Sequence, residues 1–184
     1  MSKHKAVVRQ EVPEDVDDVR RVVSAAFGGE RVASLLDALR ESAAWLGLSF
    51  VAEERDEVVA HVAYTRGWVD APDRLVDVLV LSPLSVRPDR QRIGIGSMLV
   101  KESMQLLEER DEPLVFLEGD PGYYSRLGFV SGDQLGFVRP SVRIPEPAFQ
   151  VATLTGYDQT KMSGAFVYPD VFWRHDCVGL RPER

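Results

Sequence analysis

The stretch from Arg74 to Val100 limits what this chain can fold into more than any other. Its first half, "RLVDVLVLSPLSV", is an almost unbroken run of β-forming apolar residues ending near Val86. A strand that is apolar on both faces needs cover on both, which places it centrally in a sheet. After "RPDRQRIGIG" an apolar pattern of helical period begins near Gly94 and runs to about Arg110, with Ile95, Met98, Leu99 and Leu106 as its stripe. A buried strand feeding directly into a helix is the repeat unit of a layered α/β domain. Pro83 removes a backbone donor inside that strand, so a bulge or a local split is expected there.

The flanking sequence fits the same class. "KAVVRQEV" reads as a strand. In the next segment Pro13 and four acidic residues open a helix that Gly28-Gly29 stops, with Val16, Val19, Val22, Val23 and Phe27 at helical spacing. "ERVASLLDALRESAAW" predicts a second helix as far as Trp45, with Val32, Leu35, Leu36 and Leu39 on one stripe. "LSFVAEERDEVVAHVAYTRGWV" predicts two strands joined by a tight polar turn at Glu54 to Glu57. "EPLVFLEG" is a further strand, Pro121 to Leu127 a short helix, and "GFVSG" the start of another extended piece. Beyond Arg139 prolines are dense, and loops with further strands are expected. No repeat or linker divides the chain, so residues 1–184 are read as one domain, with 139–184 as its last strands and loops.

Composition excludes several classes of function. Lys plus Arg total 22 against 29 Asp plus Glu, a net charge of −7, and no segment forms the basic face of a nucleic-acid binder. The acidic balance mildly favours a cationic partner such as an amine. The one cysteine, Cys177, leaves no disulfide framework and no cysteine zinc site. His4, His61 and His175 show no metal-ligand spacing, and no Ser-His-Asp signature is present. The charged N-terminal residues do not form a signal peptide, and no run approaches the ~20 apolar residues of a membrane helix. A cytoplasmic protein without metal is the expectation.

The glycine turn carries the chemistry. The first amides of a helix lack internal partners, and the aligned peptide dipoles make that end attractive to anions. Gly94 and Gly96 let a phosphate approach the backbone, Arg90 and Arg92 add charge, and Gln91 adds an amide donor. A pyrophosphate suits such a cradle. A Gly-x-Gly pair can also do no more than shape a turn. No third glycine completes the dinucleotide fingerprint, and no Gly-Lys-Ser/Thr completes a Walker loop.

Gln91-Arg92-Ile93-Gly94-Ile95-Gly96 resembles the Q/R-x-x-G-x-G/A signature of the GNAT superfamily of acyl-CoA-dependent N-acetyltransferases. "YYSRLGF", one helix and one strand further on, resembles the same family's tyrosine, glycine and phenylalanine element. "AAFGG", "VVAHVAYT" and "GDPGYYSRLGF" resemble a bacterial subgroup of predicted N-acetyltransferases.

This resemblance implies a mixed, mostly antiparallel sheet with helices on both faces and a splayed central strand pair, Leu79–Val86 and Leu114–Glu118, that admits the pantetheine arm of acetyl-CoA. Backbone groups of Leu84, Ser85 and Val86 would pair with that arm, and the amides of Gln91, Arg92, Ile93, Gly94, Ile95 and Gly96, with Ser97, would hold the pyrophosphate. Tyr124, four residues before Gly128, would protonate the departing thiolate, unless it is a structural phenol. Asp120 would bond to pantetheine or cap the short helix. Glu118, Asp77, Glu53 and His61 are the candidates for a base. Trp45, Trp68, Phe149, Tyr168, Phe172 and Trp173 would wall an acceptor pocket or belong to the core. The expected partners are acetyl-CoA and an amine acceptor, with a homodimer as a compatible assembly. Two other readings stand beside the enzyme: an acyl-CoA-binding module without catalysis, and a structural domain whose glycines only shape a turn.

Overall fold

The structure is a computed structural model that describes residues 6–180; His4 lies outside them. Among the described residues nine strands form one sheet in the order β1-β2-β3-β4-β5-β8-β6, with β9 beside β3 and β7 beside β9. The strands are β1 (Val7–Gln10), β2 (Trp45–Glu54), β3 (Glu57–Asp70), β4 (Leu75–Val86), β5 (Leu114–Glu118), β6 (Val130–Ser131), β7 (Phe137–Val138), β8 (Phe149–Thr153) and β9 (Gly164–Val167). The helices are α1 (Val16–Phe27), α2 (Arg31–Arg40), α3 (Ile95–Leu107), α4 (Pro121–Tyr124) and α5 (Asp170–Arg174). Most neighbours are antiparallel; β4 and β5, joined through α3, run parallel. Among the described residues no helix is long and apolar enough to cross a membrane.

The first four strands follow from local chemistry. Arg55 and Asp56 take φ of 55° and 62°, the left-handed pair that a two-residue hairpin between right-twisted strands requires. That turn links β2 to β3 at the polar site expected from sequence. Strand β4 is nearly continuous in burial and sits between β3 and β5. Its pairing with β3 jumps from Val62–Leu84 to Tyr64–Leu81, so Ser82 and Pro83 together oppose Ala63. This is the bulge expected from Pro83, with one extra residue in the strand that lacks a donor.

Two helical expectations are corrected. Helix α2 ends at Arg40, and Trp45 opens β2 instead of closing a helix. Helix α3 ends at Leu107, short of Arg110. Of the residues assigned to apolar stripes, Leu106 is 61% exposed and Phe27 50%. Leu106 faces solvent because Leu99, Val100, Ser103 and Leu107 complete the face of α3 that meets the sheet. Phe27 has a different reason, given below.

The sheet separates two cores. Leu99, Val100 and Leu107 of α3 pack on Tyr64, Leu79, Val115 and Leu117. On the opposite face Val19, Val22 and Val23 of α1 and Leu36 of α2 cover Val51 and Ala63. Further along that face Phe116 stacks on Phe166 at 4.5 Å and on Phe149 at 5.6 Å between centroids. The segment after Arg139 therefore supplies two sheet strands and much of one core.

Candidate functional site

Strands β4 and β5 touch through only two residue pairs, Leu79–Val115 and Val80–Phe116. Beyond them β5 turns to β8, and Leu81 to Val86 have no neighbour on that side. A gap thus opens in mid-sheet. The direction of the backbone along its β4 edge follows from register. Arg87 donates to Val59 O at 2.9 Å, and residues facing each other across an antiparallel ladder alternate between bonded and non-bonded pairs. Val86–Ala60 and Leu84–Val62 are then the non-bonded pairs, so Leu84 and Val86 turn their N–H and C=O groups into the gap. Ser85 differs from its expectation, because its main-chain groups pair with those of His61.

At the end of β4 the chain enters α3 through the glycine turn. Gly94 takes a φ of 93°, a conformation that side chains disfavour. Gly96 serves proximity instead: a Cβ there would lie 2.8 Å from the Tyr123 hydroxyl and 3.2 Å from Val86 Cγ2. Ile95, Gly96 and Ser97 form the first helical turn, whose amides have no partner within the helix. Arg90 is paired with Glu54 at 2.7 Å. Among the described residues neither Arg92, at this mouth, nor Arg126, across the cavity from it, has an ion-pair partner, so both leave their charge free. Gln91 Nε2 donates to Val86 O at 3.0 Å and ties the turn to the strand.

Gap and helix mouth open into one cavity of about 710 Å³. Leu84 and Val86 form one wall, Gln91, Arg92, Gly94, Gly96 and Ser97 the mouth, and Asp120, Tyr123, Tyr124 and Arg126 the far side. Ala26 and Phe27 close it from the end of α1, which explains why an aromatic residue on an amphipathic helix is half-exposed. Of the other residues expected at the mouth, Ile93 points outward, 67% exposed, and Ile95 is buried on the side of α3 that meets the sheet. Either can offer only its amide.

Both tyrosines of α4 reach the cavity, where one was expected. The Tyr123 hydroxyl lies 3.4 Å from Ser97 Oγ, next to the helix mouth. Tyr124 packs edge-on against Tyr123 and Phe129. Burial, with the nearby Tyr123 and Tyr64 hydroxyls, pushes the Tyr124 phenol above its ordinary range, so it holds its proton throughout neutral pH. Asp120 caps α4, accepting from Gly122 N at 2.8 Å while also facing the cavity.

The candidate bases are dispersed. Asp77 is exposed near Arg66, close to the other end of β4. Glu53 is tied to Arg9 at 2.7 Å near the outer edge of the sheet. These two are corrected as bases, since β-register carries them away from the gap. Glu118 ends β5 with its side chain on the α1/α2 face. Its Oε2 accepts from Gly179 N at 3.0 Å. Burial raises its pKa, with Tyr168, the Gly179 amide and Arg143 opposing the rise. His61 is fully buried and shares a hydrogen bond of 2.8 Å with Ser49.

Of the six aromatic residues read as pocket wall or core, most belong to the core. Phe149, Tyr168 and Phe172 are core, Trp45 and Trp173 pack against that core, and Trp68 is half-buried on β3. Phe27, at the head of the segment from Phe27 to Trp45 that the resemblance implies for the acceptor side, does line the cavity, whereas Tyr123 is the aromatic residue that sequence reasoning had not placed there.

Comparison with known proteins agrees with this geometry. The family model described as acetyltransferase (GNAT) domain matches residues 8–131. A protein of Escherichia coli strain K12 described as the uncharacterized N-acetyltransferase YjhQ is 34% identical over 139 residues, covering 72% of this chain and 74% of its own. The crystal structure of the GNAT-family N-acetyltransferase YhbS from Escherichia coli in complex with CoA is 27% identical, covers 95% of each chain and superposes with a TM-score of 0.84. A GNAT-family acetyltransferase from Brucella melitensis in complex with acetyl-CoA is 30% identical, with a TM-score of 0.73 over 92% of this chain and 99% of its own.

Proposed function

This chain belongs to the GNAT acetyltransferase family, and from that premise we propose that it moves an acetyl group from acetyl-CoA to a primary amine by direct attack, both substrates being bound together. The observation that carries this reading is the mid-sheet gap running into an open helix mouth, as one cavity of about 710 Å³. A cofactor with an extended arm and an anionic head fits a slot lined by free strand edge at one end and free amides at the other. Relatives in complex with CoA and acetyl-CoA support the same choice. The single cysteine and acidic charge suit a cytoplasmic enzyme.

Acetyl-CoA supplies the activated acyl group. The amides of Arg92 to Gly96 and the Ser97 hydroxyl hold its pyrophosphate, with Arg92 and Arg126 adding charge. Leu84 and Val86 pair with the arm through main-chain groups turned into the gap. Negative charge that develops on the thioester oxygen is stabilised by a fixed amide on this edge, that of Val86. Tyr124, kept protonated by burial, donates to the departing thiolate. Glu118, on the α1/α2 face of β5, has Oε1 buried without a hydrogen-bond partner. We place it as the carboxylate that draws the acceptor ammonium to the gap.

The test is release of free thiol from acetyl-CoA across a panel of amines, polyamines, amino acids and peptides. Turnover with one class of amine is expected. Tight CoA binding with no thiol release in any arm would replace the enzyme with an acyl-CoA-binding module.

A further inference from the structure

Beneath α1 and α2 lies a buried polar cluster that the cavity does not include. It joins Glu11 ahead of α1, Arg40 of α2, Ser49 of β2 and His61 of β3. The Ser49 hydroxyl bonds to Glu11 Oε2 and lies 2.8 Å from His61 Nε2. Glu11 Oε2 is itself 3.4 Å from His61 Nε2, and Arg40 Nη1 is 2.6 Å from Glu11 Oε1. Burial resists the ionisation of Glu11, but its bonds with His61, Arg40 and Ser49 outweigh that and hold its pKa at about 2.

The tautomer of His61 follows from donor and acceptor roles. An ionised carboxylate can only accept, so the Ser49 proton goes to Glu11. Ser49 Oγ is then the acceptor of a bond donated by His61 Nε2–H. The basic lone pair is left on Nδ1, which is buried and has no hydrogen-bond partner. Burial in turn lowers the pKa of the ring; Glu11 opposes this and Arg40 adds to it. The ring is therefore neutral at pH 7 and free to take a proton.

What stands opposite His61 is Ser85, its register partner on β4. Such partners share a face, with Cβ atoms about 5 Å apart. Ser85 is 1% exposed, and its hydroxyl too has no hydrogen-bond partner. It sits between Leu84 and Val86, on the strand edge that β5 has abandoned. Proton exchange between the two requires a Ser85 χ1 rotamer that brings its hydroxyl to the imidazole. A buried unsatisfied group costs about 1–3 kcal/mol, and two such groups on register partners beside a reaction gap ask for a function.

Resting on the transferase reading, we propose that Ser85, His61, Ser49 and Glu11 form a proton relay that carries away the acceptor's ammonium proton. In this step an N–H bond of the ammonium breaks and its electron pair stays on nitrogen, ready to form the C–N bond. The proton passes to Ser85 Oγ as the Ser85 proton passes to His61 Nδ1. The resulting imidazolium is stabilised through Ser49 by the Glu11 carboxylate. Arg40 already neutralises that carboxylate, so the cluster gains one positive charge and returns it to solvent after transfer. Glu118 binds the ammonium; His61 receives its proton.

The test uses the full chain with acetyl-CoA and whichever panel amine is turned over fastest. His61→Gln is expected to lower kcat by about 10²-fold, with CoA affinity within twofold of the parent and the acidic limb of the kcat/KM profile against pH lost. Ser85→Ala is expected to lower kcat by at least tenfold without lowering the melting temperature. A folded His61→Gln protein that keeps both its rate and its acidic limb would overturn the relay and leave the cluster a purely structural one. The ¹⁵N spectrum of histidine-labelled parent protein needs neither variant nor acceptor. It should show His61 unprotonated at Nδ1 and protonated at Nε2 at pH 7. A proton on Nδ1 would end the proposal. If no amine is turned over, the transferase reading fails while the spectrum still decides the tautomer.

Discussion

Replacing Gly119 by alanine tests how tightly the phenol of Tyr124, the proposed acid, is held. Gly119 follows β5, and a Cβ on it would lie 2.8 Å from Tyr124 Cδ2 and closer still to Cε2. Carbon atoms rest comfortably at about 3.5–4 Å, so the ring must retreat by roughly 1 Å. It has little room, because Tyr123 stands 4.9 Å away on one side and Phe129 5.6 Å away on another, centroid to centroid. Overpacking of this kind costs about 1–3 kcal/mol. For a chain of 184 residues that is a fall in Tm of about 3–9 °C. A displacement of about 1 Å in a catalytic group lowers turnover by about 10²-fold. The assay is thiol release at saturating acetyl-CoA beside a thermal melt, with Gly29→Ala as control, since a Cβ at Gly29 meets nothing within 4 Å. If Gly119→Ala turns over within threefold of the parent, the position of the Tyr124 ring does not govern the reaction.

Tyr124→Phe keeps the ring and removes the proton: transfer should drop by ~10²-fold or more with CoA affinity nearly unchanged, and an unaltered kcat would remove Tyr124 as the acid. Gly96→Trp should abolish the heat of CoA binding in calorimetry, because even a Cβ at that position meets Tyr123 and Val86; normal binding would contradict the helix-mouth site. Glu11 links stability to pH. Its pKa falls from 4.5 to about 2 on folding, so its ionised form contributes stability above about pH 4.5 that is lost as the pH drops towards 2. Glu11→Gln should therefore lower Tm at pH 7, and the difference from the parent should shrink towards zero near pH 2. A difference that does not change with pH would mean that packing, not ionisation, is what the carboxyl contributes.

The sequence by itself determined whatever depends on neighbouring residues. Apolar period placed α1, α3 and the long strands, Pro83 announced the bulge, and the glycine turn with "YYSRLGF" marked both ends of the cavity. These are short-range effects: steric limits on φ, a missing amide hydrogen, the orphan amides of a helix's first turn. Tertiary structure decided what depends on sheet register. A strand's side chains alternate between faces and its main-chain groups between edges, so register alone turned the main chain of Ser85 to β3, carried Asp77 and Glu53 out of reach, and sent Phe149 into the core. It also assembled Glu11, Arg40, Ser49 and His61, which no local pattern connects, because they come from the loop after β1 and from α2, β2 and β3, and meet only once the sheet has closed beneath α1 and α2.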